Sequence, residues 1–398
     1  MWALSPPQAF SEFAKLSSCR RLGRVERFDA IVVGAGPAGS TTALRLARAG
    51  ARVLLLDREC FPRDKPCGGG LTYRAVRELP VPVDPVVEDV VELVELGFRY
   101  GSRFERRSSD GPLVLMTQRR RLDAHLVEQA AAAGADVRDG VRATALELEE
   151  GGATVRIGGA AARAPVVIGA DGVNGLTARA LGLLDTRRHG VALEGNVPYG
   201  SDEGRFRGRA LLDLGTVPGG YAWAFPKGDH VNVGVGGWED EGPRLRDHLA
   251  RACAGYGLPH DRLRALRGYR LPMRGPGERP VRGRALAVGD AAGLIDPFSG
   301  DGIYEALVSA RLAAEAALDV LAGRAADLEP YADRLARELD PLTSAGWVAK
   351  AAFDRYPRLS YGVARTPPAW RLAEHMLRGE NATGVLRLPA KALKALAA

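Results

Sequence analysis

Cysteine is scarce in this chain. Four of its 398 residues are cysteines, Cys19, Cys60, Cys67 and Cys253, with no C-x-x-C pair and no paired metal spacing. That excludes a disulfide framework and fits a reducing compartment. The six histidines are scattered, so no metal centre is expected. Lysine is sparse beside arginine, and the net charge is +7. No basic stripe is interleaved with aromatics, so nucleic acid is not an expected partner; a solvated arginine-rich surface is the plainer reading. No uninterrupted apolar run approaches the roughly 20 residues needed to span a bilayer. Ala306–Leu321 is alanine-rich but carries Arg311, Glu315 and Asp319, and reads as a helix in a water-soluble fold. The first 27 residues lack a signal-peptide pattern. No internal repeat is present. The expected location is cytoplasmic, with peripheral contact at the inner face of a membrane left open. The tail Ala390–Ala398 is short, basic and weakly amphipathic; packing on its own domain is the first reading and a membrane surface the second. Oligomeric state has no signature.

Against these absences, one segment stands out. Ala30–Val33 is a short apolar run of the kind that forms a buried parallel strand. Gly34, Gly36 and Gly39 then give G-x-G-x-x-G: a tight turn, a close backbone approach to a pyrophosphate, and close packing of the next helix. A helix is expected over Ser40–Ala49, ended by Gly50, with its N-terminus favouring an anionic phosphate. Arg52–Leu56 is the second strand, and Asp57 sits where an acid accepts a ribose hydroxyl. This dinucleotide fingerprint does not by itself choose between NAD and FAD.

Further along, Phe61–Leu71 (F-P-R-D-K-P-C-G-G-G-L) is too rich in proline and glycine for regular structure. Helices are predicted over Thr72–Leu79 and Arg119–Gly134. Strands are predicted within Val86–Thr117, Asp136–Ile168 and Val191–Gly237, with Gly151-Gly152 as a hairpin turn. Tyr221, Trp223 and Phe225 alternate, which puts them on one face of a sheet. Val166–Gly172 and Ala285–Gly293 are apolar strands running into glycine turns. Ile303–Ala322 is a long helix, and the remainder is mostly helical. A dinucleotide fold thus lies in three separated pieces, with strand-rich insertions between them.

Three motifs recur on this layout: the fingerprint with Asp57, G-A-D-G (Gly169–Gly172), and G-D-A-A-G-L-I-D-P-F-S-G-D-G-I (Gly289–Ile303). Together they resemble an FAD-dependent oxidoreductase of the p-hydroxybenzoate-hydroxylase structural group. P-C-G-G-G-L and Y-A-W-A-F-P-K-G further resemble the geranylgeranyl reductase family, whose members saturate isoprenoid double bonds. The resemblance covers roughly 28–322. It implies an α/β fold: a Rossmann-like FAD-binding domain of glutathione-reductase type over 28–85, 115–185 and 280–328. An inserted antiparallel β-rich substrate domain would cover 86–114 and 186–279. A helical region would follow over 329–398, and 1–27 would be an extension.

The resemblance also implies site residues. Gly34, Gly36, Ala38 and Gly39 would cradle the FAD diphosphate, with Asp57 and Arg58 at the adenosine ribose. Cys67, Gly68 and Gly69 would lie by the flavin ring, and Arg119 by the phosphate–ribitol portion. Ala143 would meet adenine through its backbone, and Asp290 the ribitol or phosphates. Gly302 and Ile303 would offer N–H groups to the flavin pyrimidine, where a positive helix end favours the anionic reduced ring. Tyr221, Trp223 and Phe225 would line an apolar substrate cavity. Cys67 and Tyr221 are the candidate proton donors, with bound water as a rival. Each has a plainer alternative: Asp290 as a turn cap, Arg119 in a solvated run with Arg120 and Arg121, Cys67 as packing, the three aromatics as sheet core. The implied reaction is hydride transfer from reduced FAD to the double bond of an apolar isoprenoid, with NAD(P)H as a transient reductant. A flavin monooxygenase is the alternative. A flavin halogenase is less favoured, because its W-x-W-x-I-P element reads Y-A-W-A-F-P here.

Overall fold

The computed structural model describes residues 25–183, 188–200 and 203–380. The tail Ala390–Ala398 and Cys19, both singled out above, lie outside the described residues.

Ala30–Val33 is buried and pairs in parallel with Val53–Leu56 on one side and Val166–Gly169 on the other. Ala285–Ala287 and Asp136–Arg138 extend this sheet as further parallel strands, and Val281–Arg282 closes one edge antiparallel. The three strands that precede the glycine motifs are thus neighbours although far apart in sequence. Helix α1 spans Pro37–Arg48. It starts three residues before the expected Ser40, because proline at the first helical position needs no N–H partner and has the right φ. Helix α2 is Tyr73–Glu78, α3 is Arg119–Ala132 and α4 is the short turn Leu176–Ala180. Residues 25–27, placed in the extension by sequence reading, instead form a strand parallel to Ala161–Arg163. That strand sits at the edge of a small sheet with Gly152–Ile157 and Ala145–Glu149.

A seven-stranded sheet carries the second half of the site. Its order is Arg264–Pro272, His189–Pro198, His230–Trp238, Tyr221–Lys227, Arg209–Leu214, Leu93–Phe98 and Arg103–Arg107. One face buries Leu211, Ala222, Ala224, Val233 and Val235 against helix α5 (Leu245–Gly255). The opposite face carries Leu96, Phe98, Leu212, Leu214, Tyr221 and Phe225, all left partly exposed. The two faces are therefore finished differently: one is core, the other an apolar surface. Helix α6 (Ile303–Leu321) packs on α1, followed by α7 (Glu329–Arg355), α8 (Pro357–Ala364) and α9 (Pro367–Arg378). The C-terminal helices reach this second face: the Tyr361 ring of α8 lies 5.3 Å from Phe98 and 5.5 Å from Phe104. No helix among the described residues is long and apolar enough to cross a membrane.

The core face contains one titratable defect. Asp213 is fully buried, accepts the Tyr100 N–H at 3.0 Å, and burial pushes its carboxyl up to about 6. An acid whose pKa rises on folding favours the fold in its protonated form. Its contribution is complete below the unfolded pKa of about 4 and is lost as pH rises towards 6. Asp213→Asn keeps an acceptor oxygen without the charge. It should be more stable than the parent at pH 8 by on the order of 1–3 kcal/mol, with the gap closing near pH 4. Urea denaturation at both pH values checks this, and a pH-independent gap would contradict it.

Candidate cofactor and substrate site

The glycine loop is shaped by contacts that leave no room for side chains. Gly34 has φ +103°, and a Cβ there would lie 2.3 Å from the Ala170 carbonyl oxygen. A Cβ at Gly39 would lie 1.8 Å from the Gly34 oxygen. The G-A-D-G turn is therefore the bed under the first loop. Its Asp171 accepts the Thr177 N–H at 3.0 Å and hydroxyl at 3.1 Å, steadying the start of α4. Asp57 holds the loop from the other side. Its oxygens accept the Ala35 N–H at 2.7 Å and the Glu59 N–H at 2.9 Å, and each keeps a second lone pair. Arg58 is exposed and faces Glu59.

Gly36 differs from its two partners. A Cβ there would meet only the guanidinium ends of Arg119 at 3.6 Å and Arg63 at 3.7 Å. Arg119 is buried at the start of α3 and forms a two-pronged pair with Asp123 one turn on, at 2.7 Å for both contacts. Burial would lower its pKa, but Asp123 more than offsets that, so Arg119 is a fixed cation. Arg63 Nη1 lies 2.8 Å from the same carboxylate yet makes no hydrogen bond. Two guanidiniums thus share one acid, leaving a net positive cradle beside the helix α1 N-terminus, which suits a diphosphate. Sequence reading singled out Arg119 but not Arg63. Asp123, in the same R-x-x-L-D, was visible at i, i+4.

The distant G-D-A-A-G turn closes the other side. A Cβ at Gly289 would approach Ala38 at 3.2 Å, so this turn packs on α1. Asp290 pairs with Lys65 at 2.9 Å. Burial pushes the Asp290 carboxyl up, but Lys65 and Arg119 outweigh it and hold the group below the usual range. Ala143 sits in the segment that Val141 ties to the Asp57 carbonyl at 2.7 Å.

At the N-terminus of α6 the structure adds a contact that sequence reading did not foresee. The Ile303 N–H already donates to Asp301 Oδ1 at 3.0 Å. It is committed within the chain, and a carboxylate stands at the positive helix end. The second Asp301 oxygen faces Arg74 at 3.5 Å. Gly302 remains as the backbone donor that sequence reading placed there.

The P-C-G-G-G loop meets the aromatic row. A Cβ at Gly68 would lie 3.0 Å from the Phe225 ring, and the Gly69 N–H points at Cys67 Sγ at 3.3 Å. Lys227 Nζ donates to the Cys67 carbonyl at 3.0 Å. Tyr221, Trp223 and Phe225 do share a face, with ring centroids 6.0 and 6.3 Å apart along the strand. The indole lies across Gly234, where a Cβ would come within 2.1 Å, and its N–H donates to Asn232 Oδ1 at 2.9 Å. The Tyr221 hydroxyl donates to the Ser299 carbonyl at 2.5 Å, and burial pushes its pKa well up.

One residue of this cluster escaped sequence reading. Glu194 lies beside Gly234 on the same sheet face, only 5% exposed. Its Oε1 accepts the Cys67 N–H at 2.7 Å, and its Oε2 is buried with no hydrogen-bond partner among the described residues. Burial raises its pKa, and Lys227, the Cys67 N–H and Asn232 only partly oppose this. No local motif marks Glu194; only strand pairing brings it to the loop.

The covering sheet is mixed rather than wholly antiparallel as expected, because Leu93–Phe98 runs parallel to Arg209–Leu214; together with the parallel sheet, its glycine turn and the cationic cradle it fits an FAD-binding flavoprotein. Residues 27–198 match a family described as an FAD binding domain. The chain is 33% identical over 339 residues to digeranylgeranylglycerophospholipid reductase 1 of Methanopyrus kandleri, covering 78% of this chain and 86% of that one. It is 33% identical over 318 residues to geranylgeranyl diphosphate reductase of Rhodobacter capsulatus, covering 76% and 78%. In fold it resembles a geranylgeranyl bacteriochlorophyll reductase-like protein from Thermoplasma acidophilum, with a TM-score of 0.79, 24% identity, and 94% and 100% coverage. The chain belongs to the geranylgeranyl reductase family of FAD-dependent oxidoreductases.

Proposed function

We propose that this enzyme saturates carbon–carbon double bonds of a prenyl chain, carried by a lipid, a prenylated quinone or a chlorophyll-type precursor. The observation that carries the reading is the unfinished sheet face. Leu96, Phe98, Leu212, Leu214, Tyr221 and Phe225 stay partly exposed there, and Phe225 meets the loop that holds Cys67 at Gly68. Such a wall suits a long apolar substrate with few polar anchors. Bound FAD, once reduced, supplies the hydride, and a nicotinamide nucleotide serves as its transient reductant.

The residues of the chain supply the rest. Gly34, Gly36, Ala38 and Gly39, with Arg119 and Arg63, hold the diphosphate. Asp57 and Ala143 serve the adenosine end, and Asp290 the ribitol side. Gly68, Gly69 and Gly302 shape the ring site, with Ile303 as packing. An isolated alkene is a poor electrophile, so a proton must reach one carbon as hydride reaches the other. Tyr221 has its only hydroxyl hydrogen engaged at Ser299, and its raised pKa makes it a weak acid. We assign Tyr221 to the wall with Trp223 and Phe225. Glu194 holds the proton at Oε2, and Cys67 positions Glu194 through its N–H.

The test is an anaerobic incubation of the flavin-reduced protein with a geranylgeranyl lipid or a polyprenyl quinone, followed by mass spectrometry. A gain of two hydrogens per double bond is expected. A product that forms only with oxygen and carries an added oxygen atom would show a monooxygenase instead.

A further inference from the structure

Helix α8 faces in two directions. Inward, Tyr361 is buried against Phe98 and Phe104, at the end of the apolar wall. Outward, Leu359 is 56% exposed and Val363, one turn later, 53%, with Tyr356 just before the helix at 45%. Leu359 and Val363, four apart, share one helix face, and exposed Tyr356 precedes them at the helix N-cap, so this end of the molecule presents apolar side chains to water. The flanks of this apolar patch are basic. Arg355, Arg358, Arg365 and Arg371 are exposed, and no Asp or Glu occurs from Arg355 to Ala373. The acids at either end are engaged: Asp354 with Lys350 and Trp238, and buried Glu374 with Ser108 and Ser109. Arg106 adds a further cation, donating to the Arg365 carbonyl at 2.5 Å.

An exposed apolar patch ringed only by arginine is the chemistry of a surface that rests on an anionic bilayer. We propose that α8 docks this protein on anionic lipid, with Tyr356, Leu359 and Val363 entering the headgroup–acyl boundary. Arg355, Arg358, Arg365 and Arg371 meet lipid phosphates. Docking there sets the end of the apolar wall marked by Phe98 and Phe104 beside the membrane, so a lipid chain reaches it without crossing water. Anionic lipid is favoured over a second copy of the chain because four like charges at the rim would face themselves across a two-fold contact.

The proposal is tested without turnover, so its failure is distinct from failure of the reductase reading. Full-length protein is sedimented with vesicles of phosphatidylglycerol and phosphatidylcholine, and with phosphatidylcholine alone. Binding should require the anionic lipid and be lost in about 1 M salt, where screening acts over roughly 3 Å. Leu359→Ser with Val363→Ser should weaken partition by about a hundredfold, and Arg358→Glu with Arg365→Glu by more than about tenfold. Leu148→Ser, at an exposed leucine on a different sheet, should leave binding unchanged. Parental binding by the Leu359/Val363 variant, with an unaltered melting curve, would overturn the proposal. So would a parental dimer that becomes monomeric in that variant and never binds vesicles.

Discussion

Gly36→Glu should fold and purify colourless, whereas Gly39→Ala should fail to accumulate as folded protein. The two glycines belong to one motif, and the sequence already assigns them different duties, pyrophosphate approach at Gly36 and helix packing at Gly39. Their surroundings differ. At Gly39 a Cβ would lie 1.8 Å from a backbone oxygen that cannot yield without parting α1 from its strand. The expected loss of stability is about 4 kcal/mol or more. At Gly36 a Cβ meets only guanidinium ends at ordinary distance, 3.6 and 3.7 Å, and the backbone has φ −75°, open to any residue. A glutamate there places its carboxylate between Arg119 and Arg63, where a phosphate would bind. FAD affinity should fall by about a thousandfold, on the order of 4 kcal/mol. Flavin absorbance per mole of protein, read beside a thermal melt, separates the two outcomes. Retention of flavin by Gly36→Glu would mean that the diphosphate lies elsewhere.

The contrast shows which parts of the site are legible from sequence. Local motifs were readable because their physics is local: a strand followed by G-x-G-x-x-G has few alternative folds, and Pro37 only shifted the helix start. Arg119 was singled out through the family resemblance, and the structure gives it a partner one turn along the same helix, Asp123. The Trp223–Phe225 row was readable because strand alternation fixes the face. What could not be read depends on pairings between distant strands. Glu194 reaches Cys67 across 127 residues, and Lys65 reaches Asp290 across 225. The Asp301 contact of the Ile303 N–H went unread for a different reason. The capping carboxylate is its near neighbour Asp301, a choice made by local turn geometry that the glycines around it conceal.

Glu194→Gln should lower the rate of alkene reduction by about a hundredfold to ten-thousandfold while leaving the flavin spectrum in place. Glutamine keeps the volume and can still accept the Cys67 N–H, which Glu194 Oε1 receives at 2.7 Å. What it lacks is an ionisable proton at the unpartnered second oxygen. Burial holds the Glu194 carboxyl protonated to higher pH than an exposed glutamate. The rate should therefore stay level through acidic pH and fall as pH rises past that raised pKa. In Glu194→Gln the falling limb should disappear along with most of the rate, and the solvent isotope effect should change. A merely structural role predicts a different pattern: lower flavin content or a shifted melt, with the pH profile intact. Cys67→Ala separates the remaining candidate, because it preserves the backbone N–H that orients Glu194 and removes only the thiol. It should keep at least about a third of the parental rate, since a positioning contact through the backbone survives the loss of the side chain. A Cys67→Ala enzyme as inactive as Glu194→Gln would move the proton from the carboxyl to the thiol.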